Sequence, residues 1–250
     1  MAALPALVIA ALERVPALRF RPARVLRPYV TTDLLYLLTG FVAGGSLALA
    51  YTRHATSWLD ARTGLGGLLW PSIPFPGQVL GALVAIDLGN YLVHWWLHRS
   101  DLLWEFHKVH HSSLHLDWLA TFRSHLVEQF LRRVLAPLVV IAAGVPVPAV
   151  GAAAVVFFAW ATLNHANLRL PLGCLEGVLV TPRLHRVHHV PATVERNLGT
   201  VFTCWDRLRG TLVRADPPAD TAFGLPLETA TYPQDWGRQL LAPFSPPASP

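Results

Sequence analysis

An apolar run that ends in closely spaced histidines constrains this chain more than any other feature. The run extends from Gly77 to about Leu97 and carries His94 and His98 at its end. Residues four apart lie one turn apart on one face of a helix, which is the spacing that lets two imidazoles reach one metal ion. About 20 apolar residues are also enough to cross a bilayer. The run therefore predicts a membrane helix that presents metal ligands at one end.

Two further histidine sets share one spacing. The sequences HKVHH and HRVHH each place histidines at steps of three and four residues, which on a helix puts three rings on one side of a turn. A lone histidine on an apolar helix is usually a core residue, but this repetition indicates a metal site. The first set is His107, His110 and His111, and the second is His185, His188 and His189.

Composition favours a membrane protein. Of the 250 residues, 53% are hydrophobic and 14% are charged, whereas soluble domains carry about 25% charged residues. The net charge is +5, but the arginines flank apolar runs and form no basic face with interleaved aromatics. We therefore expect membrane topology and no nucleic-acid partner.

The two cysteines are far apart and form no CxxC, so neither a disulfide framework nor a zinc ribbon is indicated.

The apolar segments predict about four membrane helices. The first runs from Tyr29 to Tyr51, the second is the histidine-bearing run, and residues 130–145 and 147–164 form a hairpin broken by glycine and prolines. Ser100 is placed to cap a helix through His111. We expect an all-α integral membrane helical bundle of about four membrane helices with a histidine-rich helical cap on the cytoplasmic side.

The chain divides by composition into three parts. Residues 1–28 place five arginines after a short apolar stretch, the wrong order for an export signal, and are predicted to lie on the membrane surface. Residues 29–214 form the predicted membrane domain. Residues 215–250 are a proline-rich C-terminal tail.

Counting the crossings places the histidines on one side of the membrane. If the N-terminal arginines face the cytoplasm, the histidines of all three sets face it too, as do His125 and His165 at the ends of the hairpin. The bias toward alanine and arginine indicates a bacterial chain. We therefore predict an integral protein of the bacterial inner (cell) membrane, with its active site on the cytoplasmic face.

Ten imidazoles are too many for one structural zinc site, which needs four ligands. Two metal ions, each held by four or five nitrogens, match the count better. Imidazole suits iron, copper, nickel and zinc. A site at the mouth of an apolar bundle would meet a lipid-like substrate, and cleavage of an unactivated C–H bond with O₂ favours iron.

Asp87 lies inside the second apolar run and needs a partner. A charge at the centre of a membrane helix costs roughly 2.5–3.5 kcal/mol on insertion scales. The expected partner is His94, two turns along the same face, or another histidine elsewhere in the fold, and Tyr91 lies on the same stripe.

Other polar residues are candidates to support the ligands. A ligating imidazole donates its second N–H to a carboxylate or carbonyl, and Glu128 and Asp206 offer carboxylates. A helix-terminal charge or a salt bridge to arginine explains each of them equally well. Asn197 is expected to shape the turn after the third histidine set.

The three histidine sets resemble those of a known family. HWWLH (94–98), HKVHH (107–111) and HRVHH (185–189) look like the HxxxH, HxxHH and HxxHH boxes of the fatty acid hydroxylase and sterol desaturase superfamily, integral-membrane non-haem diiron oxygenases. DLGNYLVH before the first box and RNLGTVFTCWDRLRGT after the third are also similar to the family pattern. The resemblance covers about residues 87–211.

The resemblance implies a ligand set, cofactors and partners. Besides the eight box histidines, it implies His165 as a ligand, and His125 within a motif where Leu126 replaces the usual proline. His54 and His115 match no motif and are expected at the surface. It also implies two iron ions, O₂, a lipid substrate and a separate electron-transfer protein (ferredoxin, cytochrome b5 or reductase), since the chain shows no GxGxxG or cysteine set of its own.

Two other interpretations compete with a hydroxylase or desaturase of this superfamily. The separate family of membrane acyl desaturases usually spaces its first histidine pair differently from HWWLH. A membrane metal-binding protein without redox turnover, or a degenerate scaffold, is the alternative from another class. Clustering of the histidines at one face argues against metal transport, which needs ligands along a path through the membrane.

Overall fold

The computed structural model describes residues 3–22, 26–42, 45–215 and 221–245. These residues are helical with turns between, and in place of strands they show two isolated bridges, Arg19 to Leu168 and Leu179 to Phe202. The predicted all-α class is confirmed for this part of the chain.

Twelve α-helices and five short 3-10 turns make up the described part. The α-helices are α1 (Ala3–Leu12), α2 (Val30–Val42), α3 (Gly45–Thr63), α4 (Leu65–Leu69), α5 (Phe75–Arg99), α6 (Asp101–His111), α7 (Leu126–Leu135), α8 (Pro137–Ala142), α9 (Val147–His165), α10 (Pro182–His188), α11 (Cys204–Arg209) and α12 (Trp236–Leu241). The 3-10 turns are Pro16–Leu18, Trp118–Phe122, Gly173–Gly177, Pro191–Thr193 and Ala242–Phe244.

Helices α5 and α9 form the centre of the fold. Within the described ranges, they are the two helices long and apolar enough to cross a membrane. They pack through small side chains, among them Ala82 and Ala85 of α5 and Ala149 and Ala153 of α9, which let two backbones approach closely. Both helices carry histidines at their C-terminal ends, so they run in the same direction toward the site.

The backbone of Ala136 lies close against α5 at Gly89. Replacing Gly89 is therefore expected to destabilise the protein. A Cβ on Gly89 would lie 2.1 Å from the backbone oxygen of Ala136, which cannot rotate away. We expect Gly89→Ala to cost about 1–3 kcal/mol, the usual range for overpacking, and to lower the midpoint of thermal unfolding in detergent. Gly151 of α9 has open space around its Cβ position, so Gly151→Ala should leave the midpoint unchanged or raise it. Equal midpoints for the two variants would contradict this packing.

The helix boundaries near the site follow local chemistry. Ser100 ends α5 and caps α6, and its hydroxyl accepts from the N–H of Leu103, as the sequence predicts. Thr181 caps α10 in the same way, with Pro182 at the first helical position, where a missing N–H does no harm.

The remaining apolar segments differ from their predicted form. The segment Tyr29–Tyr51 contains the end of α2 at Val42 and the start of α3 at Gly45, with residues 43–44 outside the described ranges. Residues 130–145 contain the end of α7 and the six-residue α8, which begins at Pro137. Proline lacks an N–H and its ring clashes with the preceding turn, so one continuous helix does not form. The described residues thus contain two apolar helices of spanning length, where about four were predicted.

Both ends of the described chain pack onto the central part. The Glu13 carboxylate accepts from the backbone N–H groups of Trp118 and Asn167. Near the C-terminus, Glu228 pairs with Lys108 at 3.0 Å. These contacts tie the segments on either side of residues 29–214 to the part of the chain that carries the histidines.

Candidate metal centre

Nine of the ten expected histidines converge in the interior. They come from the C-terminal ends of α5 and α9, from α6, and from α10 with the residue that follows it. In each of two groups, the ligand nitrogens lie within 4.8 Å of one another, and all nine residues are buried. The five-histidine group is His94, His98, His107, His111 and His188, and the four-histidine group is His110, His165, His185 and His189.

Each histidine triplet is divided between the two groups. The members four residues apart stay together, because on a helix they are separated by only about 40°. The remaining histidine of each triplet lies beside this pair on the helix surface, and its ring joins the other group. On α6, His107 and His111 join the five-histidine group and His110 joins the four-histidine group. In the second triplet, His185 and His189 join the four-histidine group and His188 joins the five-histidine group. The expectation that each triplet lies on one side is therefore refined.

Contacts at Nδ1 fix the proton positions of two rings in the five-histidine group. Nδ1 of His94 lies 2.8 Å from the carbonyl oxygen of Leu198 and must donate to it. A neutral ring has one proton, so Nε2 of His94 carries a bare lone pair. Nδ1 of His107 lies 3.0 Å from the Glu128 carboxylate, which places the proton of His107 on Nδ1 as well. The two bare Nε2 atoms lie 3.2 Å apart.

The four-histidine group repeats this arrangement. Nδ1 of His110 donates to the carbonyl of Arg123 at 3.0 Å, and Nδ1 of His165 donates to the carbonyl of Ala161 at 2.9 Å. Their Nε2 atoms, both without a proton, lie 3.1 Å apart. Each group therefore contains two buried lone pairs directed at each other.

A cation between two such lone pairs would remove the repulsion between them. A proton is a poor candidate for this cation. Burial lowers the pKa of His107 to about 4 and of His110 to about 3, so both rings are neutral at pH 7. Two nitrogens bound about 2.0–2.1 Å from one metal ion, at 90–109° from each other, are roughly 2.8–3.4 Å apart. The measured separations lie in that range. His111 and His188 also have buried Nε2 atoms with no hydrogen-bond partner among the described residues. Both groups could therefore hold a metal ion.

Glu128 is the predicted carboxylate that contacts a ligand. Its Oε1 lies 3.0 Å from Nδ1 of His107 and 2.8 Å from Nε of Arg132. Burial opposes ionisation, yet His107 and Arg132 hold the pKa of Glu128 well below its usual range. The Glu128 side chain is thus a carboxylate at neutral pH and would make the His107 ring a stronger metal ligand.

Replacing Glu128 by glutamine is expected to weaken metal binding by about 10–100-fold, the usual effect of losing such an outer partner. Iron titration into the purified apo-protein measures this. Glu195 lies 3.6 Å from Nδ1 of His98, but about half of its side chain is exposed, so solvent screens it. Glu195→Gln should change the affinity less, and an equal or larger effect would contradict the role of Glu128.

Asp87 has a different partner from the one predicted. Its carboxylate accepts from the backbone N–H groups of Val201 and Phe202 and from Nε1 of Trp205. His94 is instead directed at Leu198, so the two residues do not pair. Asp87 stabilises the loop that orients His94, and three donors satisfy its charge.

Asp206 and Asn197 stabilise the same loop from its other side. Asp206 accepts from the N–H groups of Leu198 and Gly199. Asn197 has a φ of 52°, a left-handed conformation that asparagine tolerates, and its amide donates to the carbonyl of Leu184. Tyr91 contacts this segment through the carbonyl of Trp205 at 3.4 Å. These three residues touch the loop rather than the histidine rings.

His125 lies outside both groups. It is the N-cap of α7, where its Nδ1 accepts from the N–H of Val127, and its Nε2 donates to the carbonyl of Leu240 at 3.1 Å. Both nitrogens are therefore engaged in these contacts, and the structure does not bring His125 into either group. Leu126, in place of the proline of the family motif, supplies a backbone N–H in the first turn of this helix. His54 and His115 are exposed, as expected.

Sequence reasoning missed the backbone carbonyls that orient the rings. The backbone carbonyls of Arg123, Arg196 and Leu198 each accept a hydrogen bond from Nδ1 of a histidine, and side-chain patterns carry no signal for such contacts. Trp104 also lies next to the histidines. Its ring lies 5.1 Å from that of His98 and 5.3 Å from that of His111, so it covers the five-histidine group.

Several proteins of known activity are similar in sequence to this chain. Ornithine lipid hydroxylase OlsE of Rhizobium tropici is 32% identical over 70% of this chain and 53% of its own length. The alkylglycerol monooxygenase of Danio rerio is 32% identical over 64% of this chain and 35% of its own, and the human one is 28% identical over 66% and 36%. The chain thus aligns with about a third to a half of these relatives. No solved structure matches it.

The family model for fatty acid hydroxylases matches residues 79–211, which is more than half of the chain. The matched segment includes every histidine of both groups. The chain belongs to the fatty acid hydroxylase family.

Proposed function

We propose that this protein is a membrane-bound non-haem diiron oxygenase that uses O₂ and external electrons to hydroxylate or desaturate a lipid. The observation that carries the proposal is the pair of adjoining buried groups of five and four neutral imidazoles. The rings of His111 and His189, one from each group, have centroids only 4.8 Å apart. Such a donor set suits iron, and the oxygen chemistry of iron can act on unactivated carbon.

The proposed ligands are the nine histidines of the two groups, and His125 is left out. When bound there, iron would supply the activation of O₂ and the removal of hydrogen from the substrate. The chain's own residues keep the rings neutral by burial, and contacts at Nδ1 direct the Nε2 atoms of five of them inward, those of His94, His107, His110, His165 and His188. Glu128 holds His107, while Asp87, Asp206, Asn197 and Tyr91 position the loop behind His94.

The substrate is proposed to be a lipid. An ornithine lipid hydroxylase and alkylglycerol monooxygenases are among the relatives, which favours a lipid with a polar end, although sterols and fatty acyl chains also suit the family. Electrons are proposed to come from a separate ferredoxin, cytochrome b5 or reductase.

The two long helices support a proposed placement in the membrane. Since α5 and α9 both carry ligands at their C-terminal ends, the chain between them has to return through the bundle, and α7 and α8 provide that path. We propose that α2 and α3 complete a bundle of about four membrane segments, with α6 and α10 in a cytoplasmic cap. A bacterial inner membrane and the division into residues 1–28, 29–214 and 215–250 belong to the same proposal.

Comparative lipid profiling of cells with and without the gene tests the proposal. We expect a lipid that is one oxygen atom heavier or two hydrogen atoms lighter only when the gene is expressed, with the added oxygen labelled under ¹⁸O₂. An unchanged lipid profile together with tightly bound zinc would contradict the oxygenase and support the non-redox metal-binding alternative.

A further inference from the structure

A cavity of about 300 Å³ lies beside the third histidine set. Its wall includes Arg186, which follows His185 on α10, and Asn167, which is two residues after His165. The cavity and the four-histidine group therefore share two segments of backbone. Ligand pockets span roughly 300–1,000 Å³, so this cavity suits a small polar group rather than a whole lipid.

Arg186 is a buried cation with no anionic partner among the described residues. Its side chain is only 2% exposed, and its Nη2 donates to the carbonyl of Leu116 and the amide oxygen of Asn167 at 2.8 and 3.2 Å. Its Nε has no hydrogen-bond partner, and in the described ranges no carboxylate pairs with it. The rings of Phe20 and Phe223 lie 4.7 and 5.4 Å from its guanidinium carbon. A buried charge without a counter-ion is costly, so an anion in the cavity would stabilise Arg186.

The other charges around the cavity leave it positive. Arg14 and Arg21 also line it, and the described residues provide no ion pair for either. Asp117 is engaged by Arg27 through both carboxylate oxygens. Burial raises the pKa of Glu13 to about 7, so this carboxyl is only partly charged at neutral pH.

We propose that this cavity binds the anionic group, a phosphate or carboxylate, of a lipid headgroup. The substrate class of the adjacent histidine centre would then be an anionic polar lipid rather than a sterol or a hydrocarbon. The substrate role rests on the proposed oxygenase function, whereas anion binding does not. Arg186 would place the headgroup next to the backbone that carries His185.

Lipid binding to the purified full-length chain in detergent micelles tests the inference. Dioctanoyl phosphatidate is expected to bind at least tenfold more tightly than dioctanoylglycerol, which has the same acyl chains without the anion. Inorganic phosphate should compete with phosphatidate, because both would occupy the same cavity. Equal affinity for the two lipids, or binding of inorganic phosphate without binding of phosphatidate, would overturn the proposal.

Charge removal locates the binding site. Arg186→Gln and Arg21→Gln should each weaken phosphatidate binding by about tenfold or more without changing the affinity for dioctanoylglycerol. Arg21 is only partly buried, so its variant remains informative if Arg186→Gln does not fold. Arg238 of α12 has a side chain 82% exposed, and Arg238→Gln should bind like the parent protein. Unchanged binding by Arg21→Gln and by folded Arg186→Gln would show that the anion binds elsewhere.

Iron content, measured on the same preparations, separates this inference from the oxygenase proposal. A protein that holds two irons and oxidises charged and uncharged lipids equally would contradict the headgroup site alone. A protein that lacks iron but still selects phosphatidate, with the arginine dependence above, would contradict the oxygenase alone.

Discussion

The His110→Ala variant is expected to lose both iron and lipid oxidation. His110 is a buried member of the four-histidine group, and its Nε2 lies 3.1 Å from that of His165. Removing the ring leaves three imidazoles there and the carbonyl of Arg123 without its donor. Loss of an outer partner alone lowers metal affinity or activity by about 10–100-fold, so loss of the ligand itself should exceed about 100-fold. Metal analysis and turnover of the purified variant measure both effects.

Two other histidines serve as controls for this variant. His54 is exposed on α3, and His54→Ala should retain full iron content and activity. His125→Ala should also retain its iron, although losing the cap of α7 is expected to cost about 1 kcal/mol. Equal iron loss in His110→Ala and His54→Ala would show that the ligand assignment is wrong, and loss in His125→Ala would restore that residue to the ligand set.

The Asp87→Ala variant is expected to be the most destabilised of the carboxylate variants. Its carboxylate accepts from two backbone N–H groups and from the indole N–H of Trp205, and these three donors would lose their partner in the interior. Each unsatisfied donor costs about 1–3 kcal/mol, so a total loss of at least about 3 kcal/mol is expected. Thermal unfolding in detergent should show a clearly lowered midpoint.

A surface carboxylate provides the matched comparison. Asp101 is exposed in the first turn of α6, where a negative charge contributes about 0.3–1 kcal/mol. Asp101→Ala should therefore lower the midpoint much less than Asp87→Ala. Similar midpoints for the two variants would contradict the description of Asp87 as the buried support of the loop behind His94.

The sequence was sufficient for the histidine sets because helical spacing alone brings their members together. His94 and His98 needed only the 3.6-residue period to be placed on one face, and the cap at Ser100 needed only its hydroxyl. The division of the triplets between two groups also follows from this period, but it becomes evident only when α6 and α10 face each other. Helix orientation of that kind is a property of tertiary packing.

Contacts through the backbone could not be predicted. The partner of Asp87 is a loop more than a hundred residues away, and its donors are main-chain N–H groups that any residue provides. His125 matches a metal-binding motif by sequence, yet local capping engages its Nδ1. The apolar segment 130–145 looks continuous in composition, while one proline, Pro137, divides it into α7 and α8.

Metal analysis of the purified full-length protein tests the central claim most directly. Two buried groups of neutral imidazoles predict about two irons per chain, and removing them with a chelator should abolish lipid oxidation until iron is restored. One tightly held zinc and no iron, in protein that folds normally, would contradict the diiron account.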